Sequence, residues 1–214
     1  MDQNLPLIAQ LMQTTFALRR KEVINDDLPV GEILERWPAL KVESQICAEF
    51  RRITNINLKN HFYAELDQHA PRLQSLFRKK AARTGKVAEV LDQLFSAYDL
   101  QEQVDIHVKR AVVLRALPAY LHDDDSRFLK LWDASESDET SISDIPVGLL
   151  LSGANAIDAV LFNPEKIAVV IEGNAVIEFP TLADAFVMLF ALMYALHLSY
   201  PKDLANTFDL IQKS

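Results

Sequence analysis

The stretch LADAFVMLFALMYALHLSY, residues 182–200, decides how the chain is read. Asp184 and His197 interrupt its two ends, and the strictly apolar part between them, residues 185–196, spans only about 18 Å as a helix, against roughly 30 Å for a bilayer core. It reads as a buried helix, and no transmembrane span is expected. A helix apolar on every side needs cover from nearly all directions, supplied by the chain or by a partner. Phe186, Leu189, Phe190, Met193 and Leu196 therefore line either the core or an interface, and an uncovered remainder favours a protein partner, a homodimer included.

Immediately before this helix, IAVVIEGNAVIEF (167–179) holds two β-branched runs around Glu172-Gly173-Asn174 and reads as a β-hairpin. Two strands alone are marginal, so the hairpin must pack on the helix or gain a third strand. Thr181 is placed to cap the helix, with Asp184 three residues on in the spacing of a capping box. Upstream, VGLLLSGANAIDAVLFNP (147–164) reads as a short strand followed by a short helix. Downstream, PKDLANTFDLIQKS (201–214) reads as a last helix started by Pro201, with no terminal cap.

The N-terminal half is helical in its grammar. A helix from about Pro6 gathers Leu7, Ile8, Leu11, Met12 and Phe16 on one apolar face and ends near Arg19-Arg20-Lys21, where positive charge suits a helix C-terminus. A short helix with Pro29 in its first turn buries Ile33, Leu34 and Trp37 before Pro38. Ile46, Cys47, Phe50 and Ile53 recur at helical spacing, and the following segment continues as helix with a break expected near Pro71. Beyond a turn at Thr84-Gly85-Lys86 come helices through Val87–Tyr98 and from about Gln103 to Leu117, packed antiparallel, with Pro118 as the stop. The fold class expected is mostly α with α+β character: a helical array over 1–121, an acidic connector over 122–145 containing a surface loop over 133–144, and a small α+β region over 146–214, which with 1–121 can form a single domain.

A length of 214 residues with 50% hydrophobic side chains is enough for a sizeable core. The net charge of −8 weighs against broad affinity for phosphate backbones, but it is unevenly spread. Residues 1–110 carry 16 basic and 15 acidic side chains, net +1, and residues 111–214 carry 6 and 15, net −9. A nucleic-acid surface therefore has to lie in the first half. The candidate is the run with Arg72, Arg78, Lys79, Lys80, Arg83 and Lys86, which holds no acid between Asp67 and Glu89 and is flanked by Phe62, Tyr63 and Phe77, aromatic side chains able to stack on bases. A solvated helix face and a protein-binding patch are the competing readings of the same run.

No catalytic or cofactor pattern stands out. Cys47 is the single cysteine, which excludes an intrachain disulfide and a thiolate-rich metal site and reads as an inert thiol. With no secretory-signal pattern at the N-terminus, an intracellular setting, cytoplasmic or nuclear, is expected. The five histidines lack metal-binding spacing; His61 and His69, and His122 beside Asp123-Asp124-Asp125, are the weak exceptions. Ser141 and Ser152-Gly153 lack a nucleophile elbow, five glycines leave no phosphate-cradling loop, and Glu172 and Glu178 are carboxylates beside a hairpin. No metal, cofactor or catalytic residue is expected, and an enzyme of unrecognised type would show a polar pocket near His107, His122 or Glu172.

Four stretches carry a family resemblance: HFYAELDQHAPRLQSLFRKKAARTGKVAEVL (61–91), RALPAYLHDDDSRFLKLWD (115–133), VLFNPEKIAVVIEGNAVIEF (160–179) and YALHLSYPKDLANTFDLIQK (194–213). They resemble fish proteins labelled sterile alpha motif domain-containing protein 3-like, over most of residues 40–213. The sterile alpha motif itself would precede this region and is not visible in the chain. The resemblance implies no catalytic or ligand residues and does not carry polymerisation over to this chain. The functional expectation is a protein-association or homo-oligomerisation module, with nucleic-acid binding through residues 72–86 as the alternative.

Overall fold

The computed structural model describes residues 4–26, 28–132, 142–153 and 162–213. Its helices are α1 (Leu5–Thr14), α2 (Phe16–Asn25), α3 (Val30–Arg36), α4 (Glu43–Thr54), α5 (Leu58–Ala81), α6 (Lys86–Asp99), α7 (Ile106–Tyr120), α8 (Leu182–Ala195) and α9 (Ala205–Lys213), with short 3-10 turns at Pro38–Lys41 and Lys202–Leu204. Four strands, β1 (Leu129–Leu131), β2 (Val147–Ser152), β3 (Lys166–Ile171) and β4 (Asn174–Phe179), form one sheet in the order β1-β2-β3-β4. The chain is mostly α with α+β character. The short helix expected after β2 and most of the expected 133–144 loop lie outside the described residues.

The apolar helix α8 is the hub. It packs most extensively on α4 and α7, and also on α5 and on strands β2, β3 and β4, so cover arrives from several sides at once. Thr181 caps it, accepting from Asp184 N at 3.2 Å and donating to Asp184 Oδ2 at 2.7 Å. Its end comes at Ala195, earlier than Tyr200. His197 takes a left-handed φ of 55°, and Leu198 N donates to the Met193 carbonyl while His197 N donates to that of Tyr194, the paired bonds of a Schellman ending. His122 ends α7 in the same way, with φ 62° and Asp123 N donating to the Pro118 carbonyl. Arg20 completes the end of α8 by donating to the carbonyls of Tyr194 at 3.3 Å and Ala195 at 2.9 Å, a cation at the negative pole of the helix.

The hairpin gains two further strands. β2 pairs antiparallel with β3, and β1 lies parallel to β2. The expected connector thus supplies a strand: Phe128 is buried in the main core, and its carbonyl accepts from Leu149 N at 2.7 Å. Gly148 is required there, because a Cβ would stand 2.6 Å from the Phe128 carbonyl oxygen. Asp123 ties the same segment to α9, accepting from Thr207 N, Thr207 Oγ1 and Asn206 Nδ2. The β3–β4 turn has positive φ at both Glu172 (48°) and Gly173 (71°), the signature of a two-residue type I′ loop. Glutamate is an uncommon choice at φ > 0; here its carboxylate accepts from Val30 N at the start of α3, fastening the hairpin to the N-terminal helices.

One hydrophobic core runs from Met12 to Phe208, so the N-terminal helices and the C-terminal α+β region share an interior. Phe208 of α9 is its aromatic wedge, with ring centroids 5.5 Å from Phe186, 5.8 Å from Phe128 and 5.1 Å from Tyr200. The outer sheet face carries a smaller cluster of Ile145, Leu150 and Val170 beneath Trp132 and Ile142.

Three helix boundaries differ from the sequence pattern. Pro71 does not break α5: it sits on the exposed side, where water can take the freed carbonyl, while Leu66, Ala70 and Phe77 are held by packing. Pro118 lies inside the last turn of α7, which runs on to Tyr120. The single helix expected from Pro6 is instead bent at Thr15. Thr14 and Thr15 bond back to the carbonyls of Gln10 and Leu11, and the Arg19 guanidinium takes the Met12 carbonyl at 2.9 Å. Arg19 is accordingly no exposed terminal charge. It is fully buried and bidentate with Glu49 of α4, at 2.7 and 2.6 Å.

Candidate interaction groove

The five side chains proposed from sequence as core or interface all lie in the interior: Phe186, Leu189, Phe190, Met193 and Leu196 are none more than 4% exposed. Along α8 only Asp184 and Tyr194 are half-buried rather than buried. The apolar surface that does remain open lies elsewhere.

On α5, Leu58, Phe62, Leu66, Ala70 and Phe77 turn inward, at spacings that keep one stripe toward the neighbouring helices. Along the border of that stripe run His61, Glu65, His69, Arg72 and Leu76, three or four residues apart and so on successive turns of one side. Between this border and α9 lies a cavity of about 370 Å³. Its floor is aliphatic, from Val113, Leu114 and Leu117 of α7, and Leu210 and Ile211 of α9 form the far wall. Leu76 and Leu210 remain more than a third exposed. His69 Nε2 lies 3.3 Å from Glu65 Oε2. The arrangement offers apolar room of small-ligand or side-chain size with charge only along one edge, and no polar group projects from the floor.

The basic run divides. Arg72 belongs to the groove border. Arg78 is occupied, bidentate with Asp99 at 3.0 and 2.6 Å and stacked 4.5 Å above the Phe95 ring. Its hydrogen bonds hold the Asp99 carboxyl below its ordinary range. Lys79 and Lys80 lie in the last turn of α5, where cations complement the helix dipole, Arg83 follows that end and Lys86 opens α6; all but the half-buried Lys80 are exposed. Of the aromatic candidates for stacking, Phe62 and Phe77 are buried and Tyr63 is half-buried beneath Arg110.

The histidines and aspartates do not converge. His61 and His69 stand two turns apart, about 12 Å along α5, too far to share one ion. Asp123 binds the start of α9, Asp124 accepts from Ser126 N at 3.0 Å, and burial raises the Asp125 carboxyl against the opposing charge of Arg115. Among the described residues no group of three His, Cys, Asp or Glu is placed to hold a metal ion. His107 is exposed at the start of α7, Ser152 Oγ bonds the Lys166 carbonyl, and Glu178 pairs with Lys166, so Glu172 and Glu178 serve separate contacts.

One polar cluster escaped sequence reading. Lys59 bridges Glu43 at 2.5 Å and Asp184 at 3.1 Å, Tyr63 Oη donates to Asp184 Oδ1, and Arg110 lies 4.2 Å above the Tyr63 ring while bidentate with Asp67. Burial raises the Asp184 carboxyl, but the hydrogen bonds from Tyr63, Thr181 and Lys59 outweigh it and leave the group below the ordinary carboxylate range. Burial and the bond to Asp184 push the Tyr63 phenol far up. A tyrosine so hard to ionise and a carboxylate so well satisfied bind α4, α5, α7 and α8 together, and neither is poised for proton transfer. Their partners come from distant parts of the chain, so no local spacing announces them. The groove border is different: its period of three to four residues is visible in the sequence, and only the Leu210–Ile211 wall, some 140 residues later, is not.

Among the described residues no helix is long and apolar enough to cross a membrane. No curated protein and no solved structure matches the chain. Residues 2–42, covering α1 to α3 and the following 3-10 turn, match the family model described as sterile alpha motif domain-containing protein 3, helical domain, and so lie ahead of all four stretches that carry the resemblance to proteins of that label.

Proposed function

We propose that the chain is a protein-association module whose docking surface is the groove between α5, α7 and α9. The observation that carries this reading is the aliphatic recess beneath the exposed Leu76 and Leu210, with the buried Val113, Leu114 and Leu117 at its base and charge along one border. Grooves of this form take the apolar face of an amphipathic helix, with anchors at helical spacing. The similarity of residues 2–42 to a helical domain supports the same reading. No catalytic step is part of it. A photoreactive residue at Leu76, compared with one at Leu131 on the sheet edge, tests it in cells. Adducts of protein mass at Leu76 and not at Leu131 are expected; small-molecule adducts alone, or none, overturn it.

Nucleic-acid binding is the second reading, favoured by the exposure of Lys79 in the last turn of α5 and of Arg83 and Lys86 beyond it. It requires salt-sensitive binding of single- or double-stranded probes, abolished by neutralising Lys79, Lys80 and Arg83. Absence of binding at low salt removes it.

A further inference from the structure

Buried polarity is concentrated along one seam of the interior. Among the described residues the buried polar or charged side chains are Arg19, Glu22, Gln45, Glu49 and Thr207. The first two belong to α2, and Gln45 and Glu49 stand one turn apart on α4. Gln45 Oε1 is buried there without a hydrogen-bond partner. Over residues 5–25, Met12 and Val23 are the only apolar side chains fully buried, whereas the seven residues of α3 alone bury Val30, Ile33 and Leu34.

We propose that α1 and α2 form a strap that opens from the rest of the fold as one unit, with Arg19 as its latch. The Arg19 guanidinium holds both oxygens of Glu49 and the Met12 carbonyl, and Nη1 donates to Thr15 Oγ1 at 3.1 Å. One cation thereby joins the end of α1, the bend and α4, so that the two helices part from α4 together. The remaining hydrogen bonds across the seam are polar anchors of the same kind. Arg52 donates to Gln13, Arg20 donates to the carbonyls that end α8, and Glu22 accepts from Trp37 Nε1 at 2.7 Å and pairs with Arg36 at 2.8 Å.

A seam of this chemistry opens at lower cost than an apolar one. Arg19 and Glu49 give up their hydration when the strap closes and recover it when the strap opens, so water returns much of the attraction that is lost. Full apolar burial, which has no such return, is limited to Met12 and Val23 within the strap. Few buried apolar side chains and many exposed ones mark a segment that opens before the whole fold does. Opening uncovers the Glu49 carboxylate and the negative end of α8 at once, two acceptors that the adjacent Arg19 and Arg20 occupy in the closed state.

The test is hydrogen exchange of the full chain, read by mass spectrometry over rising urea below the unfolding transition, for wild type and Glu49→Gln. In wild type the amides of residues 5–25 are expected to share one opening. It should be at least about tenfold more frequent than the opening that exposes the slowest amides of residues 182–195, with a weaker urea dependence because less surface is uncovered. Glu49→Gln keeps the shape and removes the counter-charge, and should speed exchange in the strap by at least about tenfold. If that variant fails to fold, the wild-type comparison decides alone. Exchange of residues 5–25 at the rate and urea dependence of residues 182–195 overturns the proposal, because the strap then opens only with the whole fold. Unequal exchange along 5–25 without urea dependence, which is fraying, overturns it as well, and so does a folded Glu49→Gln chain with strap exchange unchanged.

Discussion

Helices α8 and α1 are both dominated by apolar residues, and the fold treats them in opposite ways. α8 is apolar on all sides and meets helices and strands on all of them, whereas α1 sends Met12 into the core and leaves Leu5, Leu7 and Leu11 exposed. The difference lies in what surrounds each segment in the chain. α8 follows a hairpin that folds onto it and is closed by the Phe208 wedge, while α1 precedes two short helices too small to cover it. Apolar content alone does not identify an interface; the segment that looked most in need of a partner is the one the chain covers by itself.

The sharpest way to break this comparison is by truncation. Leu189→Ala or Phe208→Ala should lower unfolding stability by about 3–5 kcal/mol, the cost of a cavity in a packed core, and Leu11→Ala by less than about 0.5 kcal/mol at monomer concentrations, all read by urea denaturation. Similar losses at Leu11 and Leu189 would mean that α1 is not open. The attachment of the N-terminal helices can be probed next. Glu49→Ala leaves the buried Arg19 without its counter-charge and should cost about 3–5 kcal/mol, and since Arg19 also holds the carbonyl at the α1–α2 bend, proteolysis within residues 5–25 should accelerate.

A smaller effect comes from pH. Asp184, Asp67 and Asp99 are all held below the ordinary carboxylate range, the first against its burial and the other two by Arg110 and Arg78. A carboxyl with a lowered folded-state value adds stability that is fully present above its unfolded value, about 3.9 for Asp, and that is lost as pH falls through the folded value. The midpoint of thermal unfolding should therefore drop below about pH 4, and Asp184→Asn should flatten that drop while lowering stability at neutral pH. The smallest expected change is a gain: His197→Gly relieves a left-handed residue at the end of α8 and should add up to about 1 kcal/mol, without affecting association.

Much of the fold was legible because its signals are local. Thr181 and Asp184 mark the start of α8, the β-branched runs around Glu172-Gly173 mark the hairpin, and the helical periods of α4 and α6 are plain. Proline was misleading where its position in the helix mattered more than its presence: Pro71 faces water in the middle of α5, and Pro118 falls in a last turn already ending. β1 was hidden in an acidic segment because three residues beside Asp123-Asp124-Asp125 carry no strand signature until β2 is there to pair with them. The groove was half visible, with its border periodic along α5 and its far wall supplied by a helix distant in sequence.

Hydrogen exchange tests the central contrast most directly. The amides of residues 182–195 should be among the most protected in the chain, while those of residues 4–14 should exchange much faster. Equal protection of the two segments, or faster exchange in residues 182–195, would contradict the account.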